Sequence, residues 1–244
     1  MSAGRVLLWI ILPYLALATF VVGHWWRYRS DRFGWGARST QILERKILGW
    51  ASPAFHFGIL AAAGGHVIGL VIPASLTEAL GISENGYHWF AAIAGALAGL
   101  VTVVGFLGLM YRRSTNARVR RTTTPADMIT YFLLTFLVLQ GTWIAFAENL
   151  LGSSPYHYRD SVGVWWRSLF ALQPDVDAVT GAPFLYQLHA VCAWAFWAFF
   201  PFSRLVHLWS LPVPYIGRPH ILYRRRFAAP RRRRTALAAR RRTP

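Results

Sequence analysis

The chain has 244 residues, of which 55% are hydrophobic, 16% aromatic and only 14% charged, with a mean hydropathy of +0.34. A soluble domain of this size carries roughly a quarter charged residues, so the composition argues against a soluble enzyme with a polar surface. The charges are lopsided, 26 Lys+Arg against 9 Asp+Glu for a net of +17, but they cluster between long apolar runs, which is the pattern of a membrane protein and not of a nucleic-acid binder.

Crossing ~30 Å of hydrocarbon takes roughly 20 mostly apolar residues, and backbone amides left unpaired there force the segment into a helix. In chain order, five segments meet that requirement: 5–25, 48–72, 87–111, 127–151 and 184–209. The first follows Arg5 and has small residues near 16–19, as a secretion signal does, but its apolar run continues past them into a basic stretch. It is read as an uncleaved helix. The connection 26–46 then carries Arg27, Arg29, Arg32, Arg38, Arg45 and Lys46, whereas 73–86 carries no lysine or arginine. The connection 112–126 carries Arg112, Arg113, Arg118, Arg120 and Arg121; 152–183 carries only Arg159 and Arg167; beyond 210 there are eleven arginines. Positive charge stays on the cytoplasmic side. The expected fold is an all-α, five-helix transmembrane bundle over residues 1–215, with the N-terminus outside and the C-terminus in the cytoplasm. A basic cytoplasmic tail, 216–244, would follow, its arginine clusters 224–226, 231–234 and 240–242 suited to anionic lipid. The single cysteine, Cys192, lies within an apolar run and excludes an internal disulfide, a CxxC zinc site and an iron–sulfur cluster of the chain's own.

Ionisable side chains at membrane depth are costly and mark function. Of eight histidines, His56 and His66 fall in the second span and His189 and His207 in the fifth; His24, His88, His157 and His220 fall at helix ends or in connections. Two histidines on each of two helices suggest bis-histidine haem ligation, because neutral imidazole is a good axial ligand for iron. The second span runs from inside to outside and the fifth runs back. The pairs must then be His56 with His207 near the cytoplasm, and His66 with His189 near the outer face. At 1.5 Å per residue the histidines are ~15 Å apart along the second span and ~27 Å along the fifth, a disagreement of ~12 Å that tilt would have to absorb. Eighteen residues are about five turns, placing His189 and His207 on one helix face, whereas His56 and His66 stand about 80° apart around theirs. Gly64, Gly65 and Gly69 remove side chains near His66, leaving room for a flat macrocycle, although small residues also permit close helix packing. Arg204, three residues before His207, and Arg112, at the inner end of the third span, are candidate partners for haem propionates.

Specific motifs then add a resemblance. Pro201-Phe202-Ser203-Arg204-Leu205-Val206-His207-Leu208-Trp209-Ser210, followed by Pro212-Val213-Pro214-Tyr215, resembles the end of the last helix of the respiratory nitrate reductase gamma subunit. So do Phe55-His56-Phe57-Gly58-Ile59-Leu60 with Gly65-His66, Arg118-Val119-Arg120-Arg121-Thr122-Thr123-Thr124, and Leu185-Tyr186-Gln187-Leu188-His189. The resemblance covers about residues 5–225. It implies two b-type haems in a five-helix anchor of the inner (cytoplasmic) cell membrane. Such an anchor oxidises quinol near the outer haem and passes electrons inward to an iron–sulfur beta subunit, which feeds a molybdenum-containing alpha subunit where nitrate becomes nitrite. The family's quinol site lies beside the outer haem, at positions held here by Gly65 and His66, and in a loop where some members carry lysines. This chain has Glu84-Asn85-Gly86-Tyr87-His88 there, so His88 is the expected hydrogen-bond donor to the quinone. Rival readings are a cytochrome b anchor of a hydrogenase, formate dehydrogenase or heterodisulfide-type complex, and a haem-free transporter or scaffold.

Overall fold

A computed structural model of the chain describes residues 2–152 and 156–210. The basic tail expected at 216–244 lies outside the described residues. Every regular element among the described residues is helical.

Four helices are long and apolar enough to cross a membrane: Ala3–Ser30, Lys46–Val71, Glu84–Thr115 and Pro125–Leu150. Their bounds lie within about five residues of the expected runs, and polar residues cap the start of the third and fourth. The Ser83 hydroxyl accepts from the Gly86 amide at 3.1 Å, starting the third span. Thr124 and Asp127 form a reciprocal capping box ahead of the fourth, with Pro125 in its first turn.

The fifth span departs from the single helix expected over 184–209. It is a bent pair, Phe184–Phe202 and Arg204–Ser210, with an angle of 79° between its parts. Pro201 has no amide hydrogen to give the preceding turn, and Ser203 is extended at φ −105° and ψ 176°. The carbonyls freed by the break are taken up by Arg27, which donates to Pro201 O and Ser203 O at 2.6 Å each. Because of the bend, His189 and His207 do not share one helix face, and the ~27 Å expected between them does not apply.

The second span packs along the third, the third along the fourth, and the fifth lies against the first and fourth. The second–third seam is close because glycines line it: a Cβ at Gly58 would stand 2.6 Å from the Thr102 amide nitrogen, and one at Gly105 would stand 2.7 Å from Phe55 Cα. The second and fifth spans share no packing seam of their own. The connection between the fourth and fifth spans folds into the short helices Val162–Phe170 and Val176–Thr180. These bury Trp165, Leu169 and Val179 against Trp9 and Ala16 of the first span and Trp194 of the fifth.

The seam sets a contrast between two glycines. Gly105→Ala should lower stability by about 1–3 kcal/mol through overpacking. Gly49→Ala, where nothing lies within 4 Å of the added carbon, should raise stability by about 0.5–1 kcal/mol through helix propensity. Thermal unfolding in detergent reads both, and equal effects would show that the seam is looser than drawn.

Candidate functional site: two histidine pairs between the second and fifth spans

The four intramembrane histidines meet across the space between the second and fifth spans. His66 and His189 face each other with ring centroids 6.0 Å apart and planes inclined by 22°. His56 and His207 do so at 5.9 Å, with planes crossing at 70°. His207 reaches His56 because the chain turns at Ser203, which removes the length mismatch of a straight fifth span.

Three of the rings are oriented by their own backbone. Nδ1 lies 2.7 Å from Ser52 O in His56, 2.7 Å from Ala62 O in His66 and 2.7 Å from Arg204 O in His207. A carbonyl only accepts, so each Nδ1 carries the proton and each Nε2 keeps its lone pair toward the facing ring. His189 Nδ1 is buried with no partner among the described residues. Gly141 allows that ring its place, since a Cβ there would stand 3.2 Å from His189 Cε1.

This arrangement can be tested against a haem. A metal–imidazole bond is about 2 Å long, and the ring centre lies about 1 Å behind the nitrogen, so two imidazoles on opposite sides of one metal have centroids about 6 Å apart. Both pairs have that separation. Among the described residues no group of three or more His, Cys, Asp or Glu is arranged to hold a metal ion. Each pair therefore offers two opposed nitrogens and nothing else, which suits a metal whose remaining donors come from a macrocycle. Gly64 and Gly65 are exposed beside His66 with nothing within 4 Å of an added Cβ. The residues fit the group.

The other expected site residues also bond within the protein. Arg112 is 3% exposed. Its guanidinium donates to Glu44 Oε2 at 2.7 Å, Thr40 Oγ1 at 3.0 Å, and the carbonyls of Thr40 and Glu44 at 2.9 Å each. It latches the connection 31–45 onto the third span through these four bonds. Arg204 pairs with Asp127 at 2.9 Å and donates to Thr122 O at 2.8 Å. It thus ties the bent end of the fifth span to the start of the fourth. His88 is buried with Nε2 3.2 Å from Asn149 O and its ring 5.8 Å from that of His157. Its hydrogen bond goes to the fourth span and not to Gly65 or His66.

The end of the bundle nearer His66 and His189 carries a polar network that the sequence pattern does not single out. Arg159 donates to Glu84 Oε2 at 2.9 Å, and Arg167 donates to Leu70 O at 3.0 Å. The Tyr158 hydroxyl lies 3.2 Å from that of Tyr87, and burial, then the Tyr87 hydroxyl, push the Tyr158 phenol up. Burial and then the charge of Arg159 lower Arg167. The available signal was the isolation of Arg159 and Arg167 in connections, 73–86 and 152–183, that hold no other lysine or arginine.

Comparison with known proteins follows this geometry. Residues 5–226 match the family described as nitrate reductase gamma subunit. The chain is 40% identical over 224 residues to the nitrate reductase gamma chain of Bacillus subtilis (strain 168), covering 92% of this chain and 99% of that one. It is 36% identical over 222 residues to the respiratory nitrate reductase 1 gamma chain of Escherichia coli (strain K12), covering 88% and 95%. It is 44% identical over 232 residues to the nitrate reductase-like protein NarX of Mycobacterium tuberculosis, where it spans 93% of its own length but only 35% of that relative's.

The Arg112 latch generates a pH dependence. Burial alone would raise the Glu44 carboxyl, but hydrogen bonds from the Ile47 amide, Arg112 and the Leu48 amide outweigh it and hold the group below its ordinary range. A carboxyl depressed in the folded state stabilises fully above its unfolded pKa, and that contribution is lost as pH falls through the folded one. Protease cleavage within 31–45 should therefore accelerate once pH drops below about 4. In Glu44→Gln the cleavage should be fast and nearly pH-independent above that point; an unchanged acid profile in that variant would assign the latch elsewhere.

Proposed function

This chain belongs to the family of nitrate reductase gamma subunits, and from that premise we propose that it is the dihaem cytochrome b anchor of a respiratory nitrate reductase. In this reading it oxidises quinol near the outer face and delivers electrons at the inner face to an iron–sulfur beta subunit. That subunit serves a molybdenum-containing alpha subunit, where nitrate is reduced to nitrite. The observation carrying the reading is the pair of opposed imidazole sets, at 6.0 and 5.9 Å, at two positions along the second span.

His66 and His189 would hold the outer haem, and His56 and His207 the inner one. Bound there, the two groups supply one-electron carriage between the membrane faces. The chain's own residues supply orientation and insulation. The Ser52, Ala62 and Arg204 carbonyls fix three of the ring tautomers, and a second-shell acceptor of this kind also raises ligand basicity. The apolar spans exclude water and keep competing reactions out. Gly65 and His66 would form the quinol site on the outer side, where the absence of a side chain at Gly65 admits a flat ring against the helix. The positive charge of the connections 26–46 and 112–126 supports a cytoplasmic inner face. On that orientation quinol protons leave to the outside while electrons exit inside. Each charge moved across 100 mV is worth ~2.3 kcal/mol, so turnover would be electrogenic.

The first test is a reduced-minus-oxidised spectrum with haem quantified per chain; two b-type haems are expected, and a haem-free folded preparation would overturn the reading. His66→Ala or His189→Ala should leave one haem and abolish quinol-driven nitrate reduction, while reduced dyes that feed the partner subunits directly still support it. The ring angles predict a further difference. The inner ligand pair crosses at 70° and the outer at 22°, so the inner centre should give the low-spin ferric signal with the larger maximum g value.

A further inference from the structure

The separation of His66 and His189 is not set by packing between the helices that carry them, because the second and fifth spans share no seam. The seams through the third and fourth spans join the two helices from behind, and a second, polar link joins them close to the outer pair. On one side, residues 158–167 hold the end of the second span. Arg159, 1% exposed, donates to Ile72 O at 3.2 Å and Thr77 Oγ1 at 3.0 Å, and its guanidinium carbon lies 3.9 Å from the centre of the Tyr87 ring. Arg167 donates to Leu70 O at 3.0 Å and to Arg159 O at 3.3 Å. Tyr158 packs on Gly69, where any Cβ would collide with its ring.

On the other side, the same segment is locked to the body that carries His189. Trp166 stacks on Trp194 of the fifth span at 5.1 Å, and Trp165 donates to Trp9 O at 3.1 Å. Leu70 lies about one turn beyond His66, and Trp194 lies five residues beyond His189. The brace therefore grips both helices within about one and a half turns of the two rings.

Local backbone geometry explains why arginines are needed there. The second span ends in a wide π-type turn, Val67–Val71, before Ile72 becomes extended. Such a turn spoils the regular ladder, and buried carbonyls without partners are costly. A guanidinium presents several donors in a fixed fork, so one side chain can satisfy a carbonyl, a hydroxyl and the Glu84 carboxylate together.

We propose that Arg159 is a positioning residue of the outer site, holding the end of the second span so that His66 stays opposite His189. The proposal rests on the dihaem reading above and adds to it a residue that touches neither iron nor quinol. Glu84 is 23% exposed at its side chain, so removal of Arg159 leaves it with access to water, and Arg159→Met keeps most of the buried stem.

The test uses the whole complex with haem bound, comparing wild type, R159M, R159K and T77V by electron paramagnetic resonance, redox titration and quinol kinetics. In R159M the outer centre's maximum g value and midpoint potential should shift and the KM for quinol rise several-fold, while the inner centre and dye-driven nitrate reduction stay unchanged. R159K should restore little, since an ammonium lacks the fork, and T77V should shift the outer centre in the same direction by less. Unchanged centres and KM in R159M, or equal disturbance of both centres, would overturn the proposal. Should R159M fail to assemble, T77V and R167M are judged by the same criterion. A haem-free wild type overturns the function and the brace with it, whereas a dihaem wild type with an indifferent R159M overturns the brace alone.

Discussion

The fold depends on a gap that must be kept at one width. Opposed imidazoles at about 6 Å require two helices to stand apart by a fixed amount, yet helices in a membrane gain energy by closing on one another wherever small residues allow it. The chain meets this by closing one side of the second span and leaving the other open. Toward the third span, Gly58 and Gly105 let the backbones touch. Toward the fifth there is no seam, and only the paired histidines face across. The first and fourth spans hold the fifth in place from behind, so the width of the gap is a property of the whole bundle.

Guanidinium groups finish what apolar packing cannot specify. Each histidine pair lies near an irregular helix end, the outer near the wide turn at Val67–Val71 and the inner near the break at Ser203. Each of these ends frees carbonyls that would be orphaned, and each is met by arginines from a distant part of the chain. Arg159 and Arg167 take Ile72 O and Leu70 O at one end of the bundle, and Arg27 takes Pro201 O and Ser203 O at the other. A buried charge is a poor source of net stability, because desolvation consumes much of the attraction. What it supplies is a unique geometry, since a misplaced helix end would strand both the charge and the carbonyls. The cost is lowered where a carboxylate stands beside the arginine, as Glu84 does beside Arg159, and as Glu44 and Asp127 do beside Arg112 and Arg204, which tie other segments.

How much of this was legible in the sequence follows from the range of each signal. The spans were legible because hydrocarbon imposes a length on any run of apolar residues, and the runs around Leu60, Leu100 and Leu133 meet it. The pairing of His66 with His189 and His56 with His207 followed from span direction alone, which needs no tertiary knowledge. The bend at Ser203 was written in Pro201, but a proline near a helix end is also compatible with an unbroken span, and the direction of the chain after it depends on Arg27. Arg112 shows how far a partner can lie beyond any local pattern. Its position at the inner end of a span was read correctly, but its partners Thr40 and Glu44 lie about 70 residues away in the chain, and no local pattern predicts them. The outer brace was missed for the same reason, since Arg159 and Thr77 are separated by 82 positions.

The two pairs differ in angle, and the difference traces to the same helix break. In the second span, His56 and His66 use one device, a bond from Nδ1 to the carbonyl four residues earlier, so each ring is oriented relative to one continuous helix axis. On the fifth span, His189 belongs to the straight helix Phe184–Phe199, whereas His207 bonds to the carbonyl three residues earlier, in the tighter segment Arg204–Ser210 beyond the bend. Redirecting the chain by 79° turns the plane of the His207 ring along with it. The outer rings, His66 at the last α-helical residue before the wide turn and His189 within the straight helix, end nearly parallel at 22°, and the inner rings cross at 70°. A straight fifth span would have carried both of its histidines on one face, ~27 Å apart along the axis, too far to meet a pair spaced by ten residues. The break that resolves the distance is thus also what makes the two ligand sets unequal.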